Sequence, residues 1–135
     1  MTMKTTIIIL LSLFSMNSFA QIISIWRGNT PGHESKWDCP SNWSNNRLPD
    51  EFTDVIIQVD ISSTYKYPVL NSKRTEINSL RIWPGASLIL KEGNLYVLDP
   101  QASYFRASQV NGKGNLVFID DPHYVSNGEG KNAEK

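Results

Sequence analysis

Cysteine is nearly absent from this chain, and several functional classes are excluded with it. The single residue, Cys39, rules out an intrachain disulfide framework and a cysteine-based zinc cluster. Basic and acidic residues number 13 each, so no charge excess points to nucleic acid or an anionic membrane as partner. No apolar run approaches the roughly 20 residues that a membrane span needs. A length of 135 residues is typical of one domain.

An export signal is predicted over residues 1–20. Lys4 precedes an apolar run of about eight positions, and Ser18 and Ala20 supply the small side chains that signal peptidase needs before Gln21. The run is too short to act as a membrane anchor. We therefore expect a secreted or cell-surface protein whose mature chain begins at Gln21.

The mature chain divides into two regions of different character. Residues 21–51 are polar and carry Trp26, Trp37 and Trp43 among prolines, asparagines and serines, which argues against a long helix. Residues 52–121 form short β-prone runs bounded by turn-forming residues. These runs are Val55–Val59, Tyr65–Leu70, Ile77–Ile82, Ser87–Leu90, Leu95–Leu98, Ser103–Phe105 and Leu116–Ile119. No sustained apolar 3.6-residue period occurs, so the predicted helix content is close to nil.

The clearest β pattern consists of three apolar triplets, Leu80-x-Ile82, Leu88-x-Leu90 and Leu95-x-Val97. Alternation predicts that the outer residues of each triplet face the core, with Arg81, Ile89 and Tyr96 on the opposite face. Three triplets per coil give a repeat of about 22 residues. That step reaches the neighbourhood of Tyr104, Val110 and Val117 forward, and of Ile57 and Tyr67 backward.

This repeat favours an all-β fold, a short right-handed parallel β-helix of about three rungs with a Trp-rich N-terminal cap. Antiparallel hairpins packed as a β-sandwich are the alternative. The predicted organisation is a signal peptide over 1–20, the cap over 21–51, β-helix rungs over 52–125 and a disordered tail over 126–135.

Two series of motifs follow one another along the mature chain. The first series is Trp26-x-Gly28, Trp37, Asn42-Trp43 and Pro49, leading into Asp54-Val55-Ile56-Ile57. The second is the ladder Ser79-Leu80-Arg81-Ile82, Gly85-Ala86-Ser87-Leu88-Ile89-Leu90 and Gly93-Asn94-Leu95-Tyr96-Val97. Together they resemble the opening of secreted, adhesin-like β-solenoid surface proteins of Bacteroidetes, and the likeness covers roughly residues 24–120.

The resemblance implies an extracellular parallel β-helix, often the first segment of a larger surface protein, with no catalytic residues. The chain departs from those proteins because only about three rungs are predicted. A stand-alone short form and a fragment of a larger protein therefore both remain open.

Two alternatives exist for the tryptophans Trp26, Trp37 and Trp43. Exposed indole faces would form a platform on which sugar rings stack, and these three residues are the candidate ligand-binding site. Alternatively, they form a hydrophobic lid over the open apolar end of the first coil, since terminal repeats must cap it.

Neither a catalytic nor a metal site is predicted, and no cofactor is expected. Asp50, Glu51 and Asp54 lack the spacing of a calcium loop, and the histidines lack zinc spacing. A polysaccharide lyase would need several acids and a base along one sheet, whereas Asp60, Arg81, Lys91 and Arg106 are scattered singly.

The leading functional hypothesis is a non-catalytic secreted module for cell-surface adhesion or for contact with matrix or glycans. The alternatives are a polysaccharide-degrading enzyme, a carbohydrate-binding accessory, or a truncated fragment. Expected partners are glycans or surface proteins, with no nucleic acid and no membrane span after signal cleavage. The last strand, near Leu116–Ile119, leaves an edge, so we expect residues 122–126 or a second chain to cover it.

Overall fold

The computed structural model describes residues 21–62 and 64–120. Its strands are β1 (Ile22–Ile25), β2 (Thr53–Ile57), β3 (Val69–Ile77), β4 (Ser79–Ile82), β5 (Leu88–Val97), β6 (Val110–Asn111) and β7 (Asn115–Phe118). Within these residues the helical content is limited to short 3-10 turns at Pro40–Asn42, Pro100–Ala102 and Ala107–Gln109. The expectation of an all-β fold with almost no helix is confirmed.

Every pairing between these strands is parallel, and the strands form two sheets. The first sheet has the order β1–β2–β4, and the second sheet places β5 between β3 and the β6 and β7 pair. From β2 to β5 consecutive strands alternate between the two sheets, so the chain coils instead of reversing. The molecule is a β-solenoid of about three turns. The antiparallel sandwich is excluded for this part of the chain.

The predicted repeat is also observed in the strand register. Leu88 lies opposite Val110 and Leu95 opposite Leu116, steps of 22 and 21 residues. In the first sheet Val55 lies opposite Leu80, a longer step of 25 residues. The coil is therefore longer where its corner holds more residues, between β2 and β3.

The six residues predicted to face inward form the centre of the core. Leu80, Ile82, Leu88, Leu90, Leu95 and Val97 are all fully buried. On the opposite face Arg81 and Ile89 are exposed, as expected. Tyr96 is buried although it points outward, because the Arg74 guanidinium lies 3.9 Å from the centre of its ring. Alternation thus predicts the side of the sheet correctly but not the cover that a neighbouring strand provides.

Several predicted strand boundaries are wrong. The predicted run Ile77–Ile82 is divided between the end of β3 and β4. Leu88–Leu90 and Leu95–Val97 belong to one strand, β5, and the turn expected between them is a bend at Gly93. Strand β3 runs through the polar segment Asn71–Glu76, which carries no apolar alternation, because it pairs with β5 along this length.

One strand was not expected at all. Ile22–Ile25 forms β1 at the start of the region predicted to be a cap, and it pairs with β2. The cap region therefore contributes the first strand of the solenoid as well as its cover.

The predicted signal peptide (1–20), the predicted tail (126–135) and the proposed covering segment (122–126) all lie outside the described residues. At the C-terminal end of the described residues, Leu116 and Phe118 are half-buried and pack against the core. The ring of Phe105 stacks on that of Phe118.

Substitution of Gly93 tests the stacking of β5 on the adjacent coil. Its φ is +72°, and a Cβ there would lie 1.9 Å from the Ser72 carbonyl oxygen of the adjacent coil. We expect Gly93→Ala to lower the free energy of unfolding by about 3 kcal/mol or more, since it adds a backbone clash to an unfavourable φ. Gly32 has a similar φ of +78° but open space around it, so Gly32→Ala should cost about 1–2 kcal/mol. Urea denaturation measures both, and equal losses would contradict this stacking.

Candidate functional site

The three tryptophans proposed as a ligand platform lie together beneath the surface. Trp26, Trp37 and Trp43 are 2%, 3% and 0% exposed. Trp43 makes edge-to-face contacts with both others, with ring centres 5.0 Å from Trp26 and 4.7 Å from Trp37. Such contacts stabilise aromatic pairs beyond the area that they bury.

Backbone carbonyls accept two of the indole N–H groups in this cluster. Trp26 Nε1 donates to the Lys66 carbonyl at 2.8 Å, and Trp43 Nε1 donates to the Trp37 carbonyl at the same distance. Gly28 is necessary beside the first of these bonds, because a Cβ there would lie 2.8 Å from the Lys66 oxygen. The Trp-x-Gly motif is therefore required by packing.

Asn42 organises the loop that carries the tryptophans. Its buried side-chain amide donates to the carbonyls of His33 and Lys36 at 2.7 and 2.9 Å and accepts the Thr30 N–H at 3.0 Å. Its backbone carbonyl also accepts the Arg27 N–H at 2.7 Å. One asparagine thus connects both halves of the loop to the chain that leaves β1.

The same loop covers the outer edge of the first sheet. The Ile25 N–H donates to Ser44 Oγ and the Ser44 N–H donates to the Ile25 carbonyl, both at 2.9 Å. Trp26 and Trp43 form an antiparallel bridge beside them. The exposed backbone groups of a terminal strand are a template for unwanted pairing, and here those of Ile25 are satisfied within the chain.

The second sheet is covered by the same loop at one position. Lys36 bridges Val69 in parallel, with the Val69 N–H donating to the Ser35 carbonyl at 2.7 Å. The arrangement favours the cap over the sugar platform, because a sugar could reach the faces of Trp26, Trp37 and Trp43 only if the cap opened.

A tyrosine connects the cap to the next coil. The Tyr65 hydroxyl donates to the Trp26 carbonyl at 3.2 Å, and its ring meets that of Tyr67 edge-to-face. Burial, with smaller contributions from Tyr67 and Asp60, raises the pKa of Tyr65 to about 12. The phenol therefore stays protonated, as its hydrogen bond requires.

The acidic residues considered for calcium binding make local contacts instead. Asp50 Oδ1 accepts the Thr53 hydroxyl at 2.8 Å, and Asp54 Oδ1 accepts Asn78 Nδ2 and Ser79 Oγ at 2.8 and 2.6 Å. Among residues 21–62 and 64–120, no three His, Cys, Asp or Glu side chains stand close enough to hold a metal ion.

The residues considered for a lyase are only partly brought together. Arg81 lies on the outer face of the first sheet, and Arg106 precedes the 3-10 turn Ala107–Gln109. Asp60 lies in the corner after β2, and Lys91 belongs to the second sheet. This distribution does not assemble the several acids that such an enzyme needs along one sheet.

The one exposed tryptophan of the chain, Trp83, lies elsewhere. Trp83 and Tyr104 are 48% and 63% exposed. Tyr104 pairs in parallel with Arg81, and Arg106, whose side chain is exposed, follows Tyr104 by two residues. On the other side the Trp83 N–H donates to the Ile57 carbonyl, which places Gln58 next to Trp83. We call the surface formed by Gln58, Arg81, Trp83, Tyr104 and Arg106 the Trp83 face.

A tight turn fixes the backbone of Trp83. The Ala86 N–H donates to the Trp83 carbonyl at 3.0 Å across Pro84 and Gly85, and Gly85 has a φ of +91°. Pro followed by a positive-φ Gly is the signature of a type II turn. Buried Gln109 donates from Nε2 to the carbonyls of Trp83 and Ala86 at 2.7 and 3.2 Å, which holds the turn against the next coil.

The arginines of the Trp83 face have no carboxylate partner among the described residues. The ion pair that the described residues do form joins Arg74 to Glu76 on the second sheet. Arg81 donates from Nε to the Ala102 carbonyl at 3.1 Å, and the Arg106 side chain is exposed. The sequence did not single out Trp83, whose signal was its place directly before the Pro84-Gly85 corner.

No family model, curated protein or solved structure matches this chain. Within the described residues, no helix has the length and apolar character needed to cross a bilayer.

Iodide quenching of tryptophan fluorescence separates the two groups of indoles. We expect quenching of Trp83 alone, because water does not reach Trp26, Trp37 or Trp43. Trp83→Phe should abolish the quenchable fraction, whereas Trp37→Phe should leave it intact in the folded protein. Quenching that persists in Trp83→Phe would show that the cap opens.

Proposed function

We propose that the protein is a non-catalytic, secreted β-helix module for cell-surface adhesion or for contact with matrix or glycans. The observation that carries this proposal is the Trp83 face, an exposed aromatic and cationic surface on a stacked parallel sheet. Such surfaces bind partners through preformed geometry and lose little entropy on contact. Export through residues 1–20 and membership of the adhesin-like β-solenoid proteins belong to the same proposal.

The alternative is a polysaccharide-degrading enzyme or its carbohydrate-binding accessory. The separation of Asp60 and Lys91 from the arginines favours binding without turnover. A fragment of a larger surface protein would use the same face, so this alternative changes the context of the module and not its site.

Binding to immobilised glycans and matrix proteins tests the proposed function. We expect the protein to bind at least one surface, and Trp83→Ala to reduce binding about tenfold, since an indole supplies about 1–3 kcal/mol of contact energy. Phe52→Ala, which removes an exposed aromatic ring outside the Trp83 face, is the matched control.

The same preparations are screened for release of products from pectins and related acidic polysaccharides. Robust turnover would contradict the non-catalytic proposal and favour the enzyme.

We also propose self-association through the C-terminal edge of the solenoid. Among the described residues β7 pairs with β5 alone, and Leu116 and Phe118 are only half-buried. Sedimentation velocity should show a mass that rises with protein concentration. A monomer at every concentration would contradict this proposal and leave the contact function unaffected.

A further inference from the structure

We infer that the Trp83 face binds an acidic polysaccharide, with its aromatic rings against the sugar rings and its arginines against the acidic groups. This inference rests on the proposed contact function and names its ligand class. It moves the sugar-binding site from the buried tryptophans of the cap to the outer face of the first sheet.

The first support is the placement of the two exposed rings. Trp83 and Tyr104 belong to neighbouring coils, and both project from the same side of the sheet. Adjacent strands lie about 5 Å apart and alternate residues about 7 Å apart, so the rings occupy a diagonal across the sheet. A pyranose has one face rich in C–H groups, which packs on an aromatic ring as other apolar groups do. Two such rings would accommodate successive sugars of one chain.

The second support is charge. Arg81 lies opposite Tyr104 and two residues before Trp83, and the exposed Arg106 follows Tyr104 by two residues. Neither guanidinium has a carboxylate partner among residues 21–62 and 64–120. Asp60 follows Gln58 by two residues, and its carboxylate accepts the Ser62 N–H at 2.7 Å and pairs with neither arginine. A planar guanidinium matches a carboxylate through two parallel hydrogen bonds, so sugar carboxylates complement this surface better than neutral hydroxyls do.

The third support is rigidity. The backbone on both sides of Trp83 is bonded to adjacent coils, at Ile57 and at Gln109. The Tyr104 N–H and carbonyl are bonded to Leu80 and Ile82 at 2.9 and 2.8 Å. Binding would therefore not require the loops to reorganise, and the Gln58 amide at the border of the face could bond to sugar hydroxyls.

A protein or nucleic-acid partner explains these features less well. DNA carries one phosphate charge per about 1.7 Å of its axis and is held through many basic contacts, whereas the Trp83 face offers only Arg81 and Arg106. The Trp83 face combines two arginines with two aromatic rings. An acidic sugar would use both, with its carboxylate against a guanidinium and its C–H face against a ring.

Isothermal titration with the full mature chain tests the inference. The probes are an oligogalacturonate, its carboxyl-reduced neutral form, a dextran sulfate of similar length and polyglutamate. We expect the oligogalacturonate to bind at least tenfold more tightly than its neutral form and than polyglutamate. The dextran sulfate arm distinguishes sulfate from carboxylate as the acidic group, and preferential binding of either sugar supports an acidic polysaccharide.

Variants assign the binding to the face. Trp83→Ala should weaken binding of the acidic sugar about tenfold, and the pair Arg81→Gln with Arg106→Gln should remove the preference over the neutral form. Lys91→Gln, on the second sheet, should leave binding unchanged. Circular dichroism verifies that each variant is folded.

The outcomes separate this inference from the proposed function. Equal affinity for the acidic and neutral sugars, with loss in Trp83→Ala, would overturn the acidic specificity and preserve a glycan-contact module. Binding of polyglutamate as tight as that of the sugar, unaffected by Trp83→Ala, would overturn the inference. Binding of matrix proteins alone would also overturn it, and failure to bind any surface would overturn the proposed function too.

Discussion

Closure of the first coil is the constraint on which the rest of this solenoid depends. Each coil buries its aliphatic residues only by stacking on the next, so the first one must be covered by something other than a coil. Here the cover is a loop in which Trp43 packs between Trp26 and Trp37 and Asn42 satisfies the surrounding backbone. The indole N–H groups of Trp26 and Trp43 are themselves hydrogen-bonded, so large aromatic residues can be buried there without an unpaired polar atom.

This closure explains why three tryptophans are buried while Trp83 is exposed. The cap needs its indole faces inside, where they replace a missing coil. Trp83 is not needed in the core, because Ile82 before it and Ala86 after it already fill the core positions of its coil. A residue on the outer face of a parallel sheet contributes little to the core, so its chemistry can be suited to a partner.

The sequence pattern was most informative where one requirement determined the residue type. Leu80, Leu88 and Leu95 occupy positions that only burial explains, and their spacing predicted both the coil and the side of the sheet. The pattern failed where pairing with another strand decided the outcome. The polar half of β3 has a weak local signal and is a strand because β5 lies beside it, whereas β1 is rich in isoleucine but opens a region that is otherwise polar. Backbone hydrogen bonding is indifferent to side chains, so an alternation rule cannot detect it.

By itself the sequence indicated an all-β solenoid with a repeat near 22 residues and the aliphatic residues at the centre of its core, since apolar periodicity is a direct consequence of burial on stacked strands. Only the tertiary structure decided which aromatic residues are inside. Trp26, Trp37, Trp43 and Trp83 are chemically identical, and each is close to turn-forming residues. Their exposure depends on what packs against them in three dimensions, from 6 residues away for Trp43 to 40 for Trp26, and local composition does not contain that information.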